Sequence, residues 1–279
     1  MRALQRDRVL ILNSATKFGP EAVGAVAIAA SHGGIYAAHV SVAAGVVGLV
    51  LNDAGVGLDR AGVGGLAYLD QFGIPCAAID HCSARIGDGD DCARRGMISY
   101  VNDAAARVGI RPGMRALEAA ECMLSSGIAP VNPPPLAGET RQLIAIDGAI
   151  RPVWIVDSNS LVGPEDQGAV VVTGSHGGLL GGRPETAVKA AVFAAVYNDA
   201  GVGADRAGIS RLPALDARGI AAATVTTFSA HVGSGRSTYE TGILSFVNET
   251  AALLGARAGM PAREFVTLMA QSTSIRRTS

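Results

Sequence analysis

Apolar residues along this chain fall in short unbroken runs instead of alternating with polar ones. Val9-Leu10-Ile11-Leu12 opens one series and Val153-Trp154-Ile155-Val156 opens a second. Each is followed by further runs at 25–30 and 169–173, then 47–51 and 194–197, then stretches launched by Gly73-Ile74 and Gly219-Ile220 that stop at Ser83 and Ser229. Val/Ile/Ala runs without two-residue alternation predict strands covered on both faces, as in parallel sheets with helices on each side. In each half a Gly-Pro-Glu turn (Gly19, Gly163) follows the first strand, and the second strand ends at Ser-His-Gly-Gly. An Ala-rich helix is expected next, then a strand ending at Asn-Asp-Ala-Gly, then a helix carrying Leu66, Leu69 and Asp70 or Leu212, Leu215 and Asp216. A Gly-rich loop and a last helix ending near Gly109 or Gly255 complete each half. Ser99 and Asn102, like Ser245 and Asn248, are expected on one face of that last helix, bonding between the halves.

The two halves repeat one another in sequence. Ser31-His32-Gly33-Gly34 returns as Ser175-His176-Gly177-Gly178, and Asn52-Asp53-Ala54-Gly55-Val56-Gly57 returns as Asn198-Asp199-Ala200-Gly201-Val202-Gly203. Two residues are gained between these motifs in the second copy, near Gly181-Gly182-Arg183-Pro184. The echo runs on through Asp59-Arg60-Ala61-Gly62 and Asp205-Arg206-Ala207-Gly208, and as far as Gly113-Met114 and Gly259-Met260. Copies of this length are domains, not solenoid units. The expected architecture is therefore α/β, a tandem duplication of a three-layer unit with mostly parallel sheets, the copies related by a pseudo-twofold. Residues 1–130 form the first repeat, 131–150 a linker marked by Pro133-Pro134-Pro135, and 151–279 the second; the stretch Leu143–Ile150 is a candidate bridging strand.

Composition narrows the class. Of 279 residues 49% are hydrophobic and only 17% charged, against roughly a quarter charged in average usage. A chain this poor in charge suggests a homo-oligomer that hides further surface. A net charge of −1 gives no support to nucleic-acid or anionic-membrane binding. No apolar stretch reaches the roughly 20 residues of a membrane span, and the run behind the basic residues 1–8 is too short for a signal peptide. The four cysteines, Cys76, Cys82, Cys92 and Cys122, all lie in the first copy. A disulfide framework would not be confined to one copy, so reduced thiols and a cytoplasmic location are expected.

Polar residues shared by both copies carry the candidate chemistry. A strand, Ser-His-Gly-Gly and a helix in succession can aim backbone amides at an anion. The second copy has the longer loop, with His176 as acid-base group and Arg183 as a charge partner; the alternative is a plain strand-to-helix turn. Asp199 could orient His176, with Asn198 and the Gly177 and Gly178 amides as oxyanion donors, although Asn-Asp before Ala-Gly is also strong turn chemistry. Ser175 joins the catalytic candidates. Arg85, Ser229 and His231 on the third loop, with His32, Asn52 and Asp53 from the first copy, are candidate substrate contacts. No cofactor is expected; the paired Asp and His residues could take a divalent metal but lack helical or hairpin ligand spacing. Asp80-His81-Cys82 offers a thiol beside an imidazole, but adjacent residues on a strand face opposite sides. Cys76 and Cys122 read as core. Lys189 is placed on the helix after the glycine loop, as a solvated residue.

A strand ending in His-Gly, a helix, and a strand ending in a small-residue turn resemble the caspase-like cysteine-peptidase fold, including its CHAT-type members, over roughly 32–101 and 176–247. The resemblance places His32 and His176 on the family's catalytic histidine. Its cysteine position falls within Asp53-Ala54-Gly55 and Asp199-Ala200-Gly201, where neither copy has a cysteine, so the resemblance implies the fold without peptidase chemistry.

The sequence thus points to a small-molecule enzyme, a hydrolase of C–N bonds or a lyase, acting on a polar carbonyl, amide or carboxylate metabolite at the cleft between the repeats. The competing expectation is a non-catalytic ligand-binding or assembly protein on a caspase-like fold.

Overall fold

Residues with apolar side chains at every position do form the centres of two sheets. The computed structural model describes residues 9–273; the basic segment 1–8, which bears on targeting, lies outside them. Two structural units are present. Unit 1 runs to Ala137 and includes Leu180–Gly182 and Ala200–Ala207; unit 2 comprises Gly138–Leu179, Arg183–Asp199 and the chain from Gly208.

The sheet of unit 1 has the strand order β1 (Val9–Leu12), β2 (Val26–His32), β3 (Gly48–Asn52), β4 (Cys76–Ile79), β5 (Ile98–Val101). The first four strands are parallel and β5 is antiparallel to β4. Alternate residues of the buried strands feed different cores. Val26, Ile28, Val50, Ala77 and Ile79 pack with Ile110, Ala119 and Met123, the last two on α5 (Ala116–Ser125). Ala27, Ala29, Leu49, Leu51 and Ala78 pack instead with α1 (Ile35–Ala43) and α2 (Gly64–Asp70). Both faces are apolar because both are covered, which is why the strands show no alternation. Two shorter helices, α3 (Gly89–Arg95) and α4 (Asp103–Arg107), flank β5. Ser99 is therefore on a strand, and Asn102 is the N-cap of α4. Asn102 Oδ1 accepts from the amides of Cys76 and Ala105 and its Nδ2 donates to Ile74 O, all within its own unit. The expectation of a shared helix face fails because Ile-Ser-Tyr-Val is a β-branched and aromatic run too short for a periodic signal.

Unit 2 has the order β11 (Leu244–Val247), β10 (Ala221–Val225), β9 (Ala194–Asn198), β8 (Val170–His176), β7 (Val153–Val156), β6 (Arg141–Ile144). Strands β7 to β10 are parallel, and β6 and β11 run antiparallel at the edges. The candidate bridging strand over Leu143–Ile150 overlaps β6 only at Leu143 and Ile144, and β6 pairs with β7 at the edge of this sheet instead of bridging. Ser245 lies on β11 and Asn248 caps α8 (Glu249–Leu253), again a strand and a cap instead of one helix face. Helix α9 (Ala262–Gln271) buries Phe265, Val266 and Met269 against the sheet. Among the described residues no helix is long and apolar enough to cross a membrane.

One expected helix is missing. After Ser175-His176-Gly177-Gly178 the chain makes two short 3-10 turns, Leu180–Gly182 and Pro184–Thr186, and then runs without a helix through Phe193. Gly181 and Gly182 have φ of +59° and +69°, and Pro184 both lacks an amide donor and keeps Arg183 out of helical geometry. The decisive difference lies on the facing helix. In unit 1, a Cβ at Gly65 would come within 2.7 Å of the Ala38 Cβ, so α1 packs there only because position 65 is glycine. The matching residue of α6 (Arg211–Asp216) is Arg211, 3% exposed. Its guanidinium donates to the carbonyls of Thr186 and Ala187 and lies over the Tyr197 ring. Arg218 donates to the carbonyls of Val188 and Ala190 at 2.8 and 3.0 Å. Two arginines satisfy acceptors that helix hydrogen bonds would otherwise satisfy. Lys189 is exposed as expected but is not helical; its Nζ donates to Ser160 O at 3.0 Å.

Replacing Arg211 by methionine is expected to leave the partly buried Thr186 carbonyl without this donor and the Ala187 carbonyl with the Tyr197 hydroxyl alone, and to lower unfolding stability by about 1–3 kcal/mol. Urea unfolding of the two proteins checks this; an unchanged midpoint would show that the guanidinium is not what holds this segment.

Candidate active site

The parallel strands of unit 1 end at a common edge, the place where α/β sheets carry functional loops. His32, the last residue of β2, is in register with Asn52, the last of β3, which is in register with Ile79, the last of β4. Asp53 follows Asn52, and Asp80, His81 and Cys82 follow Ile79.

The chain leaves β3 through an unusual backbone. Ala54, Gly55, Val56 and Gly57 all have positive φ, at +48°, +73°, +63° and +69°. Left-handed geometry costs a residue with a Cβ roughly 1–2 kcal/mol, and a β-branched valine there is a genuine outlier. Side chains hold it in place. Asn52 Oδ1 accepts from the Ala54 amide at 2.9 Å, Asp53 Oδ1 accepts from the Gly55 amide at 3.0 Å, and the Gly57 amide donates to Gly55 O at 2.7 Å.

Asp53 is buried, its side chain 4% exposed. Besides the Gly55 amide, its Oδ1 accepts from the His81 backbone amide at 3.1 Å and from His81 Nδ1 at 2.9 Å. Its Oδ2 accepts from the Ser99 hydroxyl at 2.8 Å. Burial disfavours the charged carboxylate and works to raise its pKa. The hydrogen bonds from His81 and Ser99, the charge of His81 and the Gly55 amide together outweigh it, so the pKa lies below its ordinary value. An ionised Asp53 can only accept, so His81 carries a proton on Nδ1 in either charge state, and in the neutral ring the lone pair is on Nε2.

Nε2 of His81 lies 3.5 Å from Cys82 Sγ. The expectation that His81 and Cys82 face opposite ways fails because β4 ends at Ile79; residues 80–83 form a turn. Asp80 Oδ1 accepts from the Cys82 amide at 2.8 Å and the Ser83 hydroxyl donates to Asp80 O at 2.7 Å, which closes the turn. Cys82 is exposed. Partial desolvation and the carboxylates of Asp80 and Asp53 raise its pKa, so the resting group is a thiol. The other cysteines differ. Cys76 and Cys92 are buried, burial pushing Cys92 up to about 12, and Cys122 is partly buried. One ligand atom each from Asp80, His81 and Cys82 lies within 4.8 Å of the others, so this trio could also hold a metal.

The Ala200–Ala207 segment of unit 1 packs against His81 on one side. The Ala204 amide donates to His81 O at 2.7 Å. Gly201, with φ +74°, passes so close that a Cβ there would meet His81 Cδ2 at 2.8 Å and Nε2 at 2.9 Å.

The residues favoured from sequence in unit 2 are engaged in turn geometry. His176 Nδ1, the atom a carboxylate would orient, accepts from the Gly178 amide at 3.1 Å, and the Gly177 amide donates to Asn198 O. Those two amides are therefore not oxyanion donors. Asn198 is fully buried and donates to Ala230 O, and Asp199 Oδ1 accepts from the Thr227 amide. Ser175 Oγ accepts from the Asn159 amide, and Ser229 Oγ donates to Thr226 O and accepts from the Ile243 amide. The His231 amide donates to Ser237 Oγ. Arg183 is exposed, 3.8 Å from Glu185. In unit 1, Arg85 is matched with Asp88, Asp91 and Asp205, which a substrate carboxylate would have to displace. Asn52 is fully buried and donates to Ala84 O. Of the sequence candidates only Asp53 stands in the cluster with His81 and Cys82. Where unit 1 has His81 and Cys82, unit 2 has Thr227 and Phe228.

Comparison with protein families, with curated proteins and with solved structures gave no match to this chain.

His32 ends β2 with Nδ1 accepting from the Gly34 amide at 3.2 Å, and desolvation lowers its pKa from 6.5 to about 4. A lowered histidine pKa means the folded state resists protonation. Its contribution is complete above pH 6.5 and is lost as pH falls toward 4, on the order of 3 kcal/mol in all. Denaturation across pH 4 to 7 is expected to show this slope in the wild type and a flatter one in His32→Gln; parallel curves would contradict the assignment. Gly201→Ala is expected to cost about 1–3 kcal/mol through its backbone alone and to slow alkylation of Cys82 by displacing His81. Thermal unfolding and iodoacetamide kinetics read the two effects separately.

Proposed function

We propose that this protein is a hydrolase of a C–N bond in a polar small molecule, with Cys82 as nucleophile, His81 as general base and acid, and Asp53 as the group that orients His81. The observation that carries this reading is the continuous contact from Asp53 Oδ1 to His81 Nδ1 at 2.9 Å and from His81 Nε2 to Cys82 Sγ at 3.5 Å. A nucleophile beside a base that is itself oriented by a third group is the generalised triad arrangement.

In this reading the Cys82 thiol passes its proton to His81 Nε2 as Sγ attacks the substrate carbonyl. Asp53 stabilises the imidazolium that forms. Collapse of the tetrahedral intermediate breaks the C–N bond, and Nε2–H protonates the leaving amine, which leaves a thioester on Cys82. Water, deprotonated by Nε2, then attacks the thioester and releases a carboxylic acid and the free thiol. Because partial desolvation, with Asp80 and Asp53, holds the resting group as a thiol, attack depends on His81 instead of on a preformed thiolate. The chemistry sits in unit 1, and Thr227 and Phe228 leave the matching position of unit 2 without base or nucleophile. The reading does not depend on the caspase-like resemblance, whose cysteine position falls at the end of β3 instead of β4.

A panel of small carboxamides and N-acyl compounds, assayed for amine release, with electrophilic probes read by intact mass, tests the proposal. Cys82→Ala is expected to abolish both turnover and labelling. His81→Gln and Asp53→Asn are expected to reduce both by about 100-fold or more. Turnover that survives in Cys82→Ala, or labelling of His81→Gln at the wild-type rate, would refute it.

A further inference from the structure

The same turn carries a second capacity. Cys82 Sγ and His81 Nε2 are 3.5 Å apart. Zinc bonded to a thiolate at about 2.3 Å and an imidazole nitrogen at about 2.0–2.1 Å sets those two atoms about 3.6 Å apart at a tetrahedral angle. The observed spacing is that of two corners around one ion. Asp80 supplies a third donor, since one ligand atom from each of the three residues lies within 4.8 Å of the other two. Its Oδ1 accepts from the Cys82 amide and lies 3.4 Å from His81 Nδ1, so a cation held between Nε2 and Sγ would take Oδ2. Metal-bound histidine normally donates its other ring nitrogen to a carboxylate that fixes its orientation, and Asp53 already accepts from His81 Nδ1 at 2.9 Å. Access is open, because Cys82 is exposed and the side chains of His81 and Asp80 are 24% and 43% exposed.

We propose that Asp80, His81 and Cys82 bind one thiophilic divalent cation of the zinc type, with Asp53 as outer support and the fourth position left to water or an external ligand. The thiol proton is released to solvent on binding, and a thiolate plus a carboxylate neutralise the dication. An occupied site takes the sulfur lone pair and the imidazole lone pair out of use, so cation binding and nucleophilic attack by Cys82 exclude one another. The inference stands apart from the hydrolase reading, because cation uptake is measured without turnover.

Tag-free protein, stripped with a chelator and kept reduced, is titrated with Co2+ and followed in the near ultraviolet for the thiolate-to-cobalt band. Zn2+ is then titrated in competition with a chromophoric chelator. One equivalent per chain is expected, with the band lost in Cys82→Ser and retained in Cys122→Ser. His81→Gln and Asp80→Asn are each expected to weaken Zn2+ binding by at least 10-fold, and Asp53→Asn by about 10-fold or more. Bound Zn2+ is expected to block alkylation of Cys82, with the rate restored by chelator. Absence of stoichiometric uptake by the wild type would overturn the proposal, as would uptake of the same strength in Cys82→Ser or in both His81→Gln and Asp80→Asn. If Cys82→Ser fails to fold, Asp80→Asn decides the matter, since that side chain is 43% exposed and asparagine keeps the Oδ1 that accepts from the Cys82 amide. Zinc uptake by a protein without hydrolytic turnover would leave this inference standing and remove the other.

Discussion

A carboxylate buried at the end of β3 needs donors for both of its oxygens, and the edge of the first sheet is arranged around that demand. Asp53 collects the Gly55 amide from its own loop, the amide and ring nitrogen of His81 from the turn after β4, and the Ser99 hydroxyl from β5. Three separate pieces of chain are fastened to one side chain. Burying a charge without such partners would cost several kcal/mol. With them, the charge stays on the carboxylate and the imidazole is fixed in a single tautomer. The left-handed loop of Ala54 and Val56 is tolerated because the same hydrogen bonds that satisfy Asn52 and Asp53 hold its amides.

The matching aspartate in the second unit keeps the backbone part of this arrangement and not the side chains. Asp199 receives the Thr227 amide as Asp53 receives the His81 amide. The backbone arrangement is retained, with Ala200 and Val202 at φ +48° and +65°. The side chains that could react are gone. Ser245, at the position of Ser99, bonds to Thr224 instead of to a carboxylate. The common Asn-Asp-Ala-Gly motif therefore encodes a turn in both units, and the units differ in the residues that follow the neighbouring strand, His81 and Cys82 against Thr227 and Phe228.

The sheets were legible in the sequence because burial on both faces leaves uninterrupted apolar runs, and the runs at 9–12, 153–156 and 194–197 match strands almost residue for residue. Asn52 and Asp53 were legible as a turn and as polar residues at a strand end. Three features were hidden, each for a physical reason. The helix absent after Gly178 turns on a long-range exchange, Gly65 for Arg211, whose consequence for packing no local pattern displays. Strands β5 and β11 are four residues long, and their polar positions mimic a helical spacing. Strand alternation hides the His81 and Cys82 pair, because the strand ends two residues earlier; Asp80 followed by Ser83, as an Asx-type turn, is the signal that reveals it.

The central claim is that ionised Asp53 holds the proton of His81 on Nδ1 and leaves Nε2 facing Cys82. Nitrogen-15 NMR of the imidazole in metal-free protein at neutral pH measures this directly, with Asp53→Asn as comparison. The account requires a protonated Nδ1 and an unprotonated Nε2 for His81 in the wild type, with loss of that preference in the variant. A wild-type His81 protonated on Nε2, or a tautomer indifferent to Asp53→Asn, would contradict it.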